Sequence, residues 1–153
     1  MKEMHKKDRA ITEEEAIALL HKAEYGVLST VCENGQPYGV PLNFCFIDNC
    51  IYFHCAVEGQ KTDNIKQNNS VSFCAVGNTK ILPSKFATKY ESVIVSGEVE
   101  EVFDTNKQVA LEGILLKYSP EHLDKGKRYI ERSREEARVF KIAIIELTGK
   151  ARR

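Results

Sequence analysis

The sequence predicts a small antiparallel β-barrel with helices at its periphery. Three observations indicate this class. About six segments are rich in β-branched and apolar residues, turn signals separate them, and helix patterns lie at the chain ends and in the connections. A chain of 153 residues can bury roughly two thirds of its unfolded surface, so we expect one domain over residues 1–153.

The charge balance gives no sign of a nucleic-acid or membrane-surface partner. Lys plus Arg and Asp plus Glu both number 22, so the formal net charge is zero and an anionic ligand must be bound by local features. No apolar run approaches the roughly 20 residues that span a bilayer, and the N-terminal segment lacks the apolar stretch of a secretion signal. We therefore expect a cytoplasmic protein.

The cysteine pattern indicates small apolar side chains in a reducing compartment. No two of the five cysteines have a C-x-x-C spacing, so neither a disulfide framework nor a zinc site is suggested, and a redox role is the less favoured alternative. The five are Cys32, Cys45, Cys50, Cys55 and Cys74.

The N-terminal third predicts a helix followed by a β-hairpin. Thr12 and Glu15 form a capping-box pattern before an apolar stripe that ends at Ala23. Strands over 26–33 and 36–47 are then joined by Asn34-Gly35, a strong hairpin signal.

Two prolines interrupt the second of these strands. Pro37 and Pro41 both lack the amide proton that a central ladder uses, so Pro41 marks an edge strand, a bulge or a place where the sheet opens. An opened ladder would free the backbone of Pro41, Leu42 and Asn43 to contact a flat polar ligand. A simple edge strand is the alternative.

A second hairpin follows, with Asp48-Asn49 as its turn. Its return strand delivers His54, and a break at Gly59 leads into a short helix that ends near Asn68. A strand over 70–77, a polar loop over 78–87 and a long strand over 88–103 come next. Gly97 suggests a bulge in the long strand.

The C-terminal third predicts two helices and a last strand over 139–148. Thr105 with Gln108 and Ser119 with Pro120 are the two helix-start signals. The second helix has a thin apolar stripe, and its charges fall in i,i+4 pairs such as Lys127 with Glu131 and Arg132 with Glu136. We interpret that charge run as a solvated face.

Lys61 is the sharpest candidate binding residue. The free amide groups at the start of a helix near Gly59, together with the lysine charge, would suit a phosphate, and glycine would allow close approach. The segment is not a P-loop because Gln60 separates the glycine from the lysine. The alternative is a glycine turn followed by a solvent-exposed lysine.

His54 is the second candidate. Strand alternation sends it and Cys55 to opposite faces, which argues against a metal site that uses both. The alternative is a surface or hydrogen-bonded core histidine, but its position shortly before the anion turn favours contact with a ligand. Hydrolase, zinc-protease and dinucleotide-binding motifs are absent from the sequence.

Three stretches together resemble a known family. They are Y-F-H-C-A-V-E-G-Q-K-T-D-N-I (52–65), N-N-S-V-S-F (68–73) and K-Y-E-S-V-I-V-S-G-E-V-E (89–100). The chain resembles the pyridoxamine 5′-phosphate oxidase-like FMN-binding split barrels, and within them the branch related to nitroimidazole-resistance proteins. The H-x-A-x-x-G-x-K run is the most specific part. The resemblance implies a six-stranded antiparallel split barrel of Greek-key type and a homodimer with FMN at the subunit interface.

The resemblance also implies a set of FMN-binding residues. Lys61 would bind the phosphate, and Ser92 would reach the flavin from the long strand. The wall around the flavin ring would consist of Val40, Pro41, Leu42, Asn43, Phe53, His54 and Ala56.

The sequence departs from true pyridoxamine phosphate oxidases. Tyr38 stands near the position of a family arginine, Gln60-Lys61 replaces an Arg-Lys pair, and the chain has no tryptophan. Vitamin B6 oxidation is therefore not expected.

Three functional hypotheses remain open at the level of sequence. The first is an FMN-dependent oxidoreductase that reduces nitroaromatic or quinone-like acceptors, with NAD(P)H as a candidate electron donor and His54 as a candidate catalytic proton donor. The second is a non-catalytic flavin- or haem-binding sensor or storage protein of the same fold. The third is a dimeric structural module without a cofactor.

Overall fold

The computed structural model describes residues 2–153, which form one seven-stranded antiparallel sheet and four α-helices. The helices are α1 (Glu13–Lys22), α2 (Gln60–Gln67), α3 (Asp104–Tyr118) and α4 (Leu123–Ser133). The strands are β1 (Gly26–Val31), β2 (Pro37–Leu42), β3 (Cys45–Ile47), β4 (Cys50–Cys55), β5 (Ser70–Leu82), β6 (Ala87–Val102) and β7 (Arg138–Arg152). Their order in the sheet is β2-β1-β5-β6-β7-β4-β3.

The two edges of this sheet are consecutive in the chain. β2 ends at Leu42 and β3 begins at Cys45, so two residues join the first edge to the last and the sheet must curl into a barrel. The predicted mainly β class with peripheral helices is confirmed. The strand count is seven instead of six because the predicted strand over 36–47 divides where it changes partner. Its first half pairs with β1 and its second half with β4.

The turn and bulge predictions are confirmed. Asp48 and Asn49 have φ values of 48° and 62°, as a two-residue hairpin turn requires, and Gly35 has a φ of 86°. The β6–β7 register shifts between Ser96 and Gly97. A Cβ atom at Gly97 would lie 2.4 Å from the carbonyl oxygen of Ala143, so glycine allows the strands to approach there.

The predicted loop over 78–87 is wrong. β5 continues to Leu82 and β6 begins at Ala87, so the two strands form a long ribbon that ends in a short 3-10 turn. Polar residues are compatible with pairing there because the ribbon extends beyond the core. Phe86, next to the turn, is 97% exposed.

Three of the four helix starts lie where the sequence predicts them, including the start of α2 at Gln60, and one is wrong. Thr12 caps α1, since its Oγ1 accepts a hydrogen bond from the Glu15 amide at 3.1 Å. The helix α3 begins at Asp104, within the predicted stretch, although its N-cap residue is Phe103 and not Thr105. The wrong prediction is that of α4, which begins at Leu123, three residues beyond Pro120. No ion pair joins Lys127 to Glu131 or Arg132 to Glu136 within residues 2–153.

The hydrophobic core occupies the inside of the barrel and continues onto α1. Its largest fully buried side chains include Phe44, Phe53 and Phe73. A second, smaller cluster lies on the outer face of β4 and β7, where α3 and α4 pack over it; it consists of Val102, Ala110, Leu111, Ile130 and Val139. The helix α3 therefore packs on the outer surface of β3, β4 and β7, with α4 beside it.

The C-terminal end of α3 is hydrogen-bonded to the segment between β2 and β3, where the chain changes strand partner. The Phe44 amide donates to the Tyr118 hydroxyl at 3.1 Å, and that hydroxyl donates to the Glu24 carbonyl at 2.7 Å. The neighbouring Lys117 donates to the Leu20 carbonyl at 3.3 Å and lies 3.6 Å from the centre of the Phe44 ring. Partial burial lowers the pKa of Lys117 to about 8, and burial raises the pKa of the Cys45 thiol beside it to about 11.

We predict that Tyr118→Phe destabilises the fold by about 1–3 kcal/mol, because the Phe44 amide and the Glu24 carbonyl both lose their hydrogen-bond partner. Urea unfolding followed by circular dichroism measures this change. Tyr129→Phe is the control, since the Tyr129 side chain is 64% exposed. Equal unfolding free energies for the two variants would show that the bridge across the strand division contributes nothing.

Candidate functional site

The site begins where β2 and β4 diverge. The β3–β4 ladder pairs Cys45 with Tyr52, and continuing this register would place Asn43 opposite His54 on the same face of the sheet. The ladder does not continue, because Asn43 lies outside both strands and β2 pairs only with β1. We call this opening, formed by residues 41–44 and 54–56, the split.

The predicted ring-binding residues at the split fall into two groups. Val40 and Leu42 pack against the barrel core, and Phe53 is fully buried and stacks on Phe140. Phe53 can reach a ligand only through its main chain, whereas Val40 and Leu42 are turned toward the core but keep part of their side-chain surface exposed. The side chains of Pro41, Asn43, His54 and Ala56 are exposed.

The helix α2 begins directly after the split. Gly59 precedes it, and no side chain caps its first turn, so the amides of Gln60, Lys61 and Thr62 have no acceptor within the helix. Lys61 is half-buried and has no acidic partner among the residues that the structure describes. A Cβ atom at Gly59 would meet no atom within 4 Å, so the approach to this turn is open. These are the features that an anion site needs.

A buried polar network fixes the position of α2. Gln60 Nε2 donates to Asn64 Oδ1 at 2.8 Å, and Asn64 Nδ2 donates to the Thr30 hydroxyl of β1 at 2.9 Å. Thr30 and Asn64 are 1% and 2% exposed. The network ties the start of α2 to the β1 side of the split, although the helix is connected to β4. The sequence does not predict this network, and its only signal is a threonine at an inward position of the apolar strand β1.

The positive charge of Lys61 affects the pKa values of two side chains at the end of β4. Partial burial, and then the positive charge of Lys61, lower the pKa of His54 below its ordinary value, even though the His54 side chain remains exposed at one side. His54 is therefore neutral at physiological pH and presents one N–H donor and one nitrogen acceptor. Burial raises the pKa of the adjacent Cys55 thiol, and Lys61 partly opposes that shift.

A cleft of about 650 Å³ lies beside His54, between the end of β4 and helices α3 and α4. We call it the α3–α4 cleft. Leu111, Ile114 and Ile130 line it with apolar atoms, and Lys125, Arg132 and Arg134 line it with cations. The sequence does not predict this cleft, because the apolar residues alone predict helix packing and the charges alone predict a solvated face.

Ser92 is not brought to the split. It lies on β6, three strands away from β2, a separation of roughly 14 Å across the sheet. It faces outward, as alternation with the buried Val93 shows, so it lies on the same outer surface as Pro41.

That part of the outer surface has an unusual composition. We call the outer surface of β1, β2, β5 and the middle of β6 the bare face. The helices that contact these strands, α1 and α2, do so from the inner side, where Leu19 faces Gly77 and Asn64 bonds to Thr30. The outward positions of the bare face are Val27, Ser29 and Val31, Pro37, Gly39 and Pro41, Ser72, Cys74 and Val76, and Ser92, Ile94 and Ser96. None of these twelve is charged, whereas solvated sheet faces normally carry Lys, Glu or Thr.

Two other kinds of site receive no support from residues 2–153. No helix among them is long and apolar enough to cross a membrane. No three of their His, Cys, Asp and Glu side chains converge as the ligands of a metal ion would. The five cysteines are free.

Comparison with known proteins gives a family match over most of the chain. The profile of the pyridoxamine 5′-phosphate oxidase family matches residues 12–151. No curated protein sequence is significantly similar to the chain.

Several solved structures have the same fold. A candidate 5-nitroimidazole antibiotic resistance protein from Bacteroides thetaiotaomicron is 24% identical, with a TM-score of 0.76 over 93% of this chain and 86% of that one. A FAD-binding protein from Mesorhizobium loti is 22% identical, with a TM-score of 0.67 over 95% and 98% of the two chains. The flavocytochrome Anf3 from Azotobacter vinelandii is 17% identical, with a TM-score of 0.82 over 99% and 72%.

Proposed function

The chain belongs to the pyridoxamine 5′-phosphate oxidase family, and from this we propose that it is an FMN-dependent oxidoreductase that reduces nitroaromatic or quinone-like acceptors. One observation carries the proposal. The split, the exposed His54 and the uncapped start of α2 with Lys61 lie side by side. A flat polar ring and a phosphate on a short linker would occupy such a pair of sites together.

The residues present fit the phosphate of FMN. Lys61 supplies one full positive charge, and the amides of the first turn of α2 supply donors that have no other acceptor in the helix. One cation and one helix turn match a monophosphate. The buried Asn64–Thr30 hydrogen bond holds this turn at a fixed distance from β1 and β2.

The residues present also fit the flavin ring. β2 is an edge strand, so one row of its backbone groups has no ladder partner, and Pro41 to Asn43 can bind the polar rim of the ring through the main chain. His54 and Ala56 would form the opposite wall. When bound, FMN would supply the electron-transfer chemistry, and the protein would supply binding, orientation and electrostatics.

His54 is the proposed catalytic side chain. Its exposed imidazole borders both the split and the α3–α4 cleft, so it can contact the ring and an acceptor at once. Because its pKa is lowered, it holds a single ring proton at neutral pH and can donate that proton in a hydrogen bond to an acceptor oxygen. NAD(P)H is the proposed electron donor, and residues 1–153 are proposed to act as a single cytoplasmic domain.

We further propose that the active form is a homodimer. The bare face carries no charge and exposes Val76 and Ile94 at 48% and 43%, which is typical of a surface that is covered in an assembly. Ser92 lies within this face and away from the split of its own chain. A second copy packed on the bare face would bring its Ser92 toward the flavin.

We predict that Lys61→Ala weakens FMN binding by about 10- to 100-fold, because a charge-assisted contact to the phosphate is lost. Flavin fluorescence quenching measures the affinity, and thermal unfolding without FMN shows whether the fold is intact. Lys66→Ala is the matched control, since Lys66 lies in the last turn of the same helix. Unchanged FMN affinity in Lys61→Ala would contradict the phosphate role.

For the dimer, we predict that Ile94→Glu produces a monomer, because each interface would bury two added carboxylates. Light scattering coupled to size-exclusion chromatography measures the mass. FMN affinity should fall in the same variant, since Ser92 of the second copy is lost. Leu116→Glu is the control, because Leu116 is 60% exposed on α3, away from the bare face. A dimeric Ile94→Glu protein would exclude this interface.

A second candidate function is a non-catalytic flavin- or haem-binding protein. It is favoured by the similar fold of Anf3, a flavocytochrome, and of a haem-binding protein from Mycobacterium smegmatis. If this chain had the second function, its split would hold a cofactor without catalysing a reaction.

Turnover separates the two functions. For the reductase we expect NADH or NADPH to bleach the flavin absorption of the purified protein, and a nitroaromatic or quinone to restore it over many cycles. His54→Gln should slow the acceptor-dependent step by a larger factor than it weakens FMN binding. A stable flavin that neither nucleotide reduces, or a haem spectrum in the isolated protein, would instead support the second function.

A further inference from the structure

We propose that the α3–α4 cleft binds a flat apolar molecule of two or three rings that carries one anionic group. The inference rests on the proposed function, because it places this molecule beside His54 as the acceptor. The cleft volume of about 650 Å³ is within the range of small-molecule sites and exceeds what one ring would fill.

The floor of the cleft is apolar and fixed. Leu111, Ile114 and Ile130 line it and are at most 9% exposed, so they present apolar atoms only toward the cavity. The two helices that form this wall are in close contact, since a Cβ atom at Gly126 of α4 would lie 2.1 Å from Leu115 Cδ1 of α3. The floor therefore favours a rigid, flat, apolar ligand over a flexible polar one.

The rim of the cleft is positively charged and poorly neutralised. Arg134 donates to Gln108 Oε1 at 2.8 Å and to the Asp104 carbonyl at 2.9 Å, two neutral acceptors that orient the guanidinium without cancelling its charge. Lys125 and Arg132 have no ion-pair partner within residues 2–153. Among the lining residues, Glu136 is the only acid.

The combination selects the ligand class. An oriented arginine retains free N–H donors that match a carboxylate or sulfonate in two-point geometry. With three cations and one acid at the mouth and apolar atoms at the floor, the cleft complements an aromatic anion at both ends. A neutral aromatic would leave the cationic rim unused, and a small polar anion would leave the floor unfilled.

Two dyes test this assignment directly. Anilinonaphthalene sulfonate and phenylnaphthylamine share the same rings, and only the first is an anion; both fluoresce when they enter an apolar site. We expect the folded protein to bind one sulfonate dye per chain, at least about fivefold more tightly than the neutral dye. The measurement needs no turnover and is made with and without FMN.

Variants locate the anion contact. Arg132→Gln should weaken the affinity for the sulfonate dye by about fivefold and change the affinity for the neutral dye by less than about twofold. Arg134→Lys should have the same effect, because a planar guanidinium with several N–H donors is replaced by a single ammonium group. Arg128→Gln is the matched control, since Arg128 lies on the same helix but not in the cleft. Near-ultraviolet circular dichroism confirms that each variant is folded.

A fluorescence donor locates the dye itself. The sequence has no tryptophan, so Tyr129→Trp places a single donor at the cleft and Tyr90→Trp places one on the far part of β6. Energy transfer to the bound dye should be stronger from position 129.

Three results would overturn the inference: equal affinity for the two dyes, no effect of Arg132→Gln and Arg134→Lys, or displacement of the dye by FMN, which would make the cleft part of the flavin site. Failure of the proposed function has a different signature. If FMN does not bind but the dye and variant effects are as expected, the flavin proposal fails and the anion cleft is supported.

Discussion

The structure depends on one segment that must pair with two strands. Residues 37–47 lie against β1 at their start and against β4 at their end, because a barrel built from this sheet can close only if its two edges meet. Between Leu42 and Cys45, where the chain changes from pairing with β1 to pairing with β4, the backbone groups lie outside the hydrogen-bond ladder. Such groups must find other partners when they are buried. The Tyr118 hydroxyl satisfies the Phe44 amide and links it to the Glu24 carbonyl, so α3 is attached where the sheet divides.

The candidate site follows from this constraint. Because the chain changes strand partner, the split opens between β2 and β4, and α2 lies across its end. The Asn64–Thr30 hydrogen bond ties α2 to β1, while the chain connection ties it to β4. The helix start with Lys61 is thereby placed at one end of the opening and His54 beside it. In a chain of zero net charge, cations that have no acidic partner among residues 2–153 lie there and at the rim of the α3–α4 cleft.

The sequence predicted what is encoded locally. The two-residue turn at Asp48 and Asn49 and the cap at Thr12 depend on conformational preferences of single residues, and they are confirmed. The turn at Lys61 was predicted as a phosphate site because a glycine, a lysine and a helix start are neighbours in the chain, and that role stays a prediction. The division of the 36–47 strand was not found. Only Pro41 hinted at it, and the cause is the closure of the whole sheet.

Features that join distant parts of the chain were missed for the same reason. The α3–α4 cleft combines His54 with residues more than fifty positions later. The start of α4 was misplaced and the cap predicted at Thr105 does not form, so the capping patterns at Thr105 and Ser119 do not by themselves set where these helices begin. A sequence pattern ranks local choices, and tertiary contacts overrule it when more apolar surface can be buried.

In the proposed flavin site, a single chain would leave one side of the ring uncovered. The split has two walls, β2 with the start of α2 on one side and β4 on the other. Its outer side is open along the bare face. A ring seated there would keep one surface in water. A ring in water would lose the low-dielectric surroundings that strengthen its polar contacts. The uncharged strip that runs from Pro41 across to Ser92 is the surface through which a second copy would close that side, so the same twelve side chains would serve assembly and cofactor enclosure.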